Sequence, residues 1–413
     1  MLDFLTIGLM KNMSGGSGES GGGEVDAFEE YLKIKGPIAI FTDINNDKSL
    51  KLFASCASLS DDLLRSILYK KELTTPIVSM RSMFSGCSSL TTIPAMDTSN
   101  VTAMYQMFYG CKALTSIPSM DTSKVTNMSY MFFDCQSLTT IPAMDTSNVT
   151  NMSAMFRACK ALKSIPPIDC RNISGISEVF AGCESLESIT LMNVSDTFGL
   201  QAAFSGCKSL KSIPLPPSIA SRSISSAFDY CEAITSVPTI DANGATELYR
   251  SFYHCKSLTS VKITNTGTVT NMVNAFADCE SITSISEIDC RSVTSSASAF
   301  TSCEALTNLT LKNIKVAFQI ASGTSWGHLL TLDSLINTIY ELRDTGSTKR
   351  LTIGSANLAK LADVYVKVID ITDEMRAEDD LIDEKLPFVR CESTDEGATL
   401  ITDYVLAKNW ELY

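Results

Sequence analysis

Cysteine and histidine are the residues of this chain best suited to chemistry: fourteen cysteines and two histidines stand among 413 residues. Ten of the cysteines, Cys87, Cys111, Cys135, Cys159, Cys183, Cys207, Cys231, Cys255, Cys279 and Cys303, are spaced 24 residues apart. Thiolates in such numbers could bind zinc, act as nucleophiles or form disulfides. No CxxC pair or Cys/His cluster accompanies them, so no zinc or other metal site is expected. An even count suits a bridged framework. Equivalent residues on stacked coils, however, lie about 4.8 Å apart with parallel side chains, so their sulfurs do not face one another. One cysteine per unit, with Phe three residues before it and Leu or Ile three after, reads as a small buried apolar residue with a free thiol. Cys170 and Cys290 take the position eleven after the column cysteine, where other units place Thr98, Thr122 and Thr146; five units apart, they are too distant to bond each other.

The remaining chemical motifs fail on context. "GSGESG" at 16–21 matches a dinucleotide fingerprint and "GESGG" at 18–22 a nucleophile elbow, but both lie in the Gly/Ser run 14–23 with no βαβ unit or strained turn to hold them. His254 sits one before a column cysteine, at a variable position expected to be exposed, and His328 opens a helical stretch; neither has a nucleophile at a telling spacing. Residues 363–396 carry twelve acids against four bases but no calcium-loop pattern, which suits a solvated acidic face. No catalytic residues, no cofactor and no enzyme activity are expected.

What positions these residues is a repeat. Counted from each cysteine, Phe lies at −3, Leu or Ile at +3, Ile, Val or Leu at +6, often Pro at +7, usually Asp at +10 and an apolar residue, often Met, at +17. No 24-residue unit buries these positions alone; stacked coils merge them into one core. Phe84, Phe108, Phe132, Phe156, Phe180, Phe204, Phe228, Phe252, Phe276 and Phe300 are predicted to form an internal column, with the cysteines forming another. Positions +4 and +5, such as Thr91 and Thr92 or Thr115 and Ser116, predict a strand with a flat hydroxyl face.

The motif "FxxCxxLxxIPxxDTSxVTxM" resembles the BspA-type leucine-rich repeat of bacterial surface proteins, over roughly 80–318. "LTIGSANLAKL" at 351–361 and "ITDYVLAKNWEL" at 401–412 resemble the ending that often closes such arrays. The resemblance implies a repeat solenoid of the α/β leucine-rich-repeat type, used for adhesion or recognition, with about ten to eleven coils between atypical caps. Four regions are expected: an apolar peptide and linker at 1–23, an N-terminal cap with a degenerate first coil around Cys56 at 24–80, the solenoid at 81–318, and a C-terminal cap at 319–413 in which 363–398 is an insertion. Helices are expected at 24–34, within 60–73 and at 328–344, strands at 349–355 and 363–370, and a short acidic helix or turn at 373–386.

The formal charge of −13 disfavours a nucleic-acid partner, which needs a basic surface. No apolar stretch is long enough to span a bilayer, and Asp3 and Lys11 do not fit the pattern of a secretory signal. Leu2, Phe4, Leu5, Ile7 and Leu9, leashed by Gly and Ser, suit a peptide that docks on a larger assembly. Proteins resembling this one occur on bacteriophages of gut bacteria. A virion component, assembled in the host cytoplasm and released by lysis, accounts for an apolar docking tag without an export signal; a bacterial cell-surface adhesin and a purely structural decoration protein are the alternatives. Partners would be other virion proteins at the N-terminal peptide and a host-surface glycan or protein at the solenoid; self-association is left open. The variable positions −6, −5, −2 and −1 hold large residues, Tyr105, Tyr109, Tyr130, Phe133 and Arg157, then Tyr230, Tyr249, Arg250 and Tyr253, and these are the candidate partner-binding residues.

Overall fold

The computed structural model describes residues 77–195, 198–213, 215–216 and 218–314, together with the backbone of six short strands beyond them. The docking peptide Leu2, Phe4, Leu5, Ile7 and Leu9, the coil around Cys56 and the helices expected at 24–34, 60–73, 328–344 and 373–386 lie outside the described residues. The chain divides into two compact units, Met1–Ser195 and Asp196–Tyr413.

Burying an aromatic ring once per turn organises each unit. In the first, Phe84, Phe108, Phe132, Phe156 and Phe180 are buried, with successive ring centroids 5.4–5.8 Å apart and planes within 9° of parallel. In the second, Phe204, Phe228, Phe252, Phe276 and Phe300 repeat this at 5.2–5.8 Å, within 15°. Near-parallel rings at this spacing are offset-stacked, the arrangement that the ring quadrupole favours. Residues at +3, such as Leu114 and Ile234, and the Met column at +17, Met104, Met128 and Met152, close the core around them.

The coils join through short parallel strands: β1 (Ile168–Asp169) and β2 (Leu191–Met192) in the first unit, then β3 (Ser218–Ala220), β4 (Thr239–Asp241), β5 (Ser260–Val261), β6 (Ile263–Thr264), β7 (Ser284–Ile285), β8 (Ile288–Asp289) and β9 (Leu311–Lys312) in the second. β5 and β7 begin at +5, where the hydroxyl-rich strand is expected, and pair in parallel. A second ladder at about +8 to +10, seen in β1–β2, β4–β6 and β8–β9, goes beyond that expectation. A third set of contacts runs through −8, as Ser79–Ala103–Asn127–Asn151 and as Glu247–Asn271–Ser295. Among the described residues the returns are turns, and the one helical segment is a 3-10 turn at Thr266–Thr268.

Farther on in the second unit lie β10 (Phe318–Gln319), β11 (Lys349–Thr352), β12 (Tyr365–Val368), β13 (Phe388–Cys391), β14 (Thr399–Leu400) and β15 (Trp410–Leu412). β11 pairs in parallel with both β10 and β15. β12 pairs antiparallel with β13 and β14. The antiparallel sheet thus enters the sequence between two strands, β11 and β15, that are hydrogen-bonded to each other.

Among the described residues twelve cysteines, including all ten of the 24-residue column, are buried free thiols. Eight of the column also act as donors. The Sγ of Cys111, Cys135, Cys159 and Cys183 bonds the carbonyl of Phe84, Phe108, Phe132 and Phe156 in the preceding coil at 3.0–3.1 Å. Cys231, Cys255, Cys279 and Cys303 do the same in the second unit at 3.0–3.1 Å. Cysteine therefore combines apolar bulk with a weak donor, and the reading of this column as purely apolar misses the second role. Burial pushes the Cys111 thiol up to about 12 and holds Cys159 well above its ordinary range. At pH 8 the native column is accordingly expected to resist iodoacetamide and to label fully in guanidinium, as read by peptide mass mapping. Native labelling of Cys135 or Cys159 would contradict the burial.

Candidate interaction rim

The turn from −8 to −1 is built by an alternation of amides. Met80, Ser82, Phe84 and Gly86 donate to Ala103, Tyr105, Met107 and Tyr109 of the next coil, while Met83, Ser85 and Cys87 donate three residues back. Serving the neighbouring coil and the local turn by turns drives the chain through the left-handed region at −5 and again at −1. Position −5 has φ of 57° at Tyr130 and 50° at Arg250; position −1 has 71° at Gly110, 56° at Tyr230 and 59° at His254. Side chains at −6, −5, −2 and −1 therefore emerge along one rim.

In the first unit this rim gathers five predicted residues into one pile. Tyr109 stacks on Phe133 with centroids 4.7 Å apart, and Tyr130 meets Tyr105 edge-on at 6.0 Å and Phe133 at 5.9 Å. Guanidinium groups end the pile, Arg81 5.0 Å from the Tyr105 ring centre and Arg157 5.6 Å from that of Phe133, with Arg157 also ion-paired to Glu178. Cation–π contacts of this kind hold rings and guanidinium groups in fixed orientation.

The second unit brings Tyr230, Arg250 and Tyr253 together. Arg250 lies 4.4 Å over Tyr253 and bonds the Asp229 carboxylate at 3.3 Å. Burial raises the Asp229 carboxyl, against the opposing pull of Arg250, His254 and the Ser205 hydroxyl. Tyr249 is half-buried at −6 of the same coil, its carbonyl accepting the Ser226 amide at 2.9 Å. His254 is not the exposed variable residue that its position suggested: it is half-buried, stacked 4.6 Å from Tyr230, with Nε2 3.4 Å from Asp278. Arg81, Glu178, Asp229, His254 and Asp278 complete the two clusters and were missed as site residues. Their signal was pairing at or near one repeat, as between Arg81 and Tyr105 or His254 and Asp278.

The hydroxyl face is partly consumed by the fold. Thr115 and Thr139 are exposed, yet their Oγ1 atoms donate to the Thr91 and Thr115 carbonyls at 3.1 and 3.5 Å. Thr259, Thr283 and Thr307 repeat this at 3.1–3.2 Å. At +10, Asp97, Asp121 and Asp145 each accept the amide two residues on at 2.9–3.0 Å. Asp169 also binds Arg171 and Asn193, and the Arg171 guanidinium holds its carboxyl down at about 2. Among the described residues no group of three His, Cys, Asp or Glu side chains is arranged to hold a metal ion, and no helix is long and apolar enough to cross a membrane.

The profile of the BspA type leucine-rich repeat region, in six copies, matches residues 225–321. The fold is of the leucine-rich-repeat type. A second profile, described as a Mycoplasma protein of unknown function, DUF285, matches this leucine-rich-repeat chain at 50–164, 78–192 and 113–214. Among solved structures, a leucine-rich repeat protein from Bacteroides ovatus is similar at 22% identity and a TM-score of 0.40, over 62% of this chain and 63% of that one. The match thus spans under two thirds of the Bacteroides ovatus protein. One from Eubacterium ventriosum is similar at 14% identity and a TM-score of 0.28, over 59% of this chain and 80% of that one. No curated protein matches the leucine-rich-repeat chain.

Proposed function

We propose that this leucine-rich-repeat protein is a non-enzymatic recognition protein of a phage particle, which engages a glycan or protein on the host surface through its turn rim and attaches to the particle by its N-terminal peptide. The observation that carries the recognition is the pair of rim clusters in which half-buried aromatic rings pack against arginine guanidinium groups. Tyr and Arg dominate binding energetics when their rings and guanidinium groups are held in place beforehand, and here stacking between coils holds them. The apolar peptide at 1–13, joined through Gly and Ser, supports the attachment.

Fluorescent full-length protein incubated with host cells tests the rim. The triple variant Y105A/Y130A/F133A and, separately, the variant R250A/Y253A are expected to weaken cell binding; loss of one anchor worth about 1.4 kcal/mol is already about tenfold. Cosedimentation with phage particles tests the peptide, where L5D/I7D is expected to abolish particle binding and leave cell binding intact. Wild-type levels of cell binding in both rim variants would sink the recognition; unchanged cosedimentation of L5D/I7D would sink the attachment.

A further inference from the structure

Two inter-coil contacts lie side by side on the rim of the first unit, between the coils of Cys87 and Cys111. At −6, the Arg81 guanidinium is centred 5.0 Å from the middle of the Tyr105 ring. At −5, the Ser82 hydroxyl donates to Oε1 of Gln106 at 3.3 Å. The ring quadrupole holds the cation in place. The hydroxyl fixes which way the amide is turned: with Oε1 toward the buried Ser82, both Nε2 hydrogens are left for other acceptors. A guanidinium and an amide donor are thus oriented on neighbouring positions by two independent contacts.

What this pair lacks is an acceptor. The other arginines of the rim are matched by acids, Arg157 by Glu178 and Arg250 by Asp229. Arg81 is exposed and, among the described residues, its one side-chain contact of this kind is with the Tyr105 ring; it has no ion pair and no hydrogen bond, and Nε2 of Gln106 has no hydrogen bond either. In a chain of net charge −13, residues 77–120 hold two bases, Arg81 and Lys112, against one acid, Asp97. Lys112 is ion-paired with Asp134, and Asp97 lies at +10, where its Oδ1 accepts the Ser99 amide. Arg81 is therefore a cation held in one orientation without a counter-charge, so a ligand that supplies the charge does not bear the cost of ordering it.

We propose that Arg81 and Gln106 form a subsite for the carboxylate of a uronic acid residue in an acidic glycan, the guanidinium taking the carboxylate through its planar N–H fork and the Gln106 amide donating to the same residue. The fork matches a carboxylate in shape. It also matches it in charge: one guanidinium balances one carboxylate, whereas a phosphate monoester, at about −1.5 to −2, stays undercompensated on an acidic chain. A nucleic acid is disfavoured because it needs a row of cations to displace its counterions. This assignment rests on the rim as the recognition surface and narrows its ligand in the first unit.

Saturation-transfer NMR on the full chain, with methyl β-glucuronide, its neutral counterpart methyl β-glucopyranoside and glucose 6-phosphate as probes, tests it. Methyl β-glucuronide is expected to receive the most saturation. Its affinity is expected to fall at least about tenfold in Arg81→Ala, which removes the fork, and in Gln106→Glu, which sets a competing carboxylate beside Arg81; one tenfold step is about 1.4 kcal/mol. Arg81→Lys keeps the charge without the fork and is expected to bind between the parent and Arg81→Ala. Arg222→Ala, which removes an exposed arginine at +15 in the second unit, is expected to leave binding unchanged. No transfer to the glucuronide, equal transfer to the neutral sugar, or equal affinity in Arg81→Ala overturns the subsite; stronger transfer to glucose 6-phosphate overturns the carboxylate. Cell binding that falls in Y105A/Y130A/F133A without any glucuronide binding would overturn the subsite and leave the wider recognition standing. Glucuronide binding that is lost in Arg81→Ala, beside wild-type cell binding in the rim variants, would uphold the subsite and sink that recognition.

Discussion

Replacing Phe252 by alanine is expected to lower the stability of the second unit by about 3–5 kcal/mol, the range for deleting a buried aromatic ring. Phe252 is fully buried and stacks on Phe228 at 5.3 Å and on Phe276 at 5.2 Å. The substitution therefore removes two ring–ring contacts, each worth about 0.5–1.5 kcal/mol beyond the buried area. In a solenoid, stability is close to a sum of coil and nearest-neighbour interface terms. A change at Phe252 weakens both interfaces of its coil, so the denaturant transition is expected to broaden or split as well as to shift. Circular dichroism in urea reads both effects. A shift worth less than about 1 kcal/mol with an unchanged slope would mean that the ring column does not hold the coils together.

The period, the burial of the Phe and Cys columns and the parallel stacking were all legible in the residues, because a side chain that recurs every 24 positions has one environment repeated. Features that depend on which atom of the neighbouring coil lies opposite were not. The thiol of Cys159 is apolar by composition, and its bond to the Phe132 carbonyl exists only once two coils are in register. The left-handed backbone at −5 and −1 was hidden for a related reason: Tyr230 and His254 are poor predictors of positive φ, and only the glycines of the same column hint at it. The rim was half legible. Size and variability found Tyr105, Tyr130 and Phe133, whereas Arg81 and Asp278 act through partners one repeat away.

The change from Thr to Cys at +11 has a physical account of the same inter-coil kind, and it yields a sharp contrast between two substitutions. Thr146 is buried, and its Oγ1 donates to the Asp169 carbonyl at 3.1 Å while accepting the Asp169 amide at 2.7 Å. One hydroxyl thus replaces a pair of strand hydrogen bonds. Where the residue at +11 is cysteine, the backbone does this work itself, Cys170 N–H reaching the Met192 carbonyl at 2.8 Å beside the β1–β2 ladder. The second unit repeats both halves, with Thr266 bonded to Asp289 and Cys290 N–H bonded to Lys312. Thr146→Val preserves shape but strips the partner from both the N–H and the C=O of Asp169, at about 1–3 kcal/mol for each group left unpaired, so a loss of about 2–6 kcal/mol is expected. Thr98 occupies the same column with its buried Oγ1 unpaired, so Thr98→Val is expected to be neutral or stabilising, since it removes a desolvated hydroxyl that gains nothing. Urea denaturation of the two variants, with hydrogen exchange at the Asp169 amide, measures the contrast; equal losses in both would show that the hydroxyl of Thr146 does not join its coil to the next.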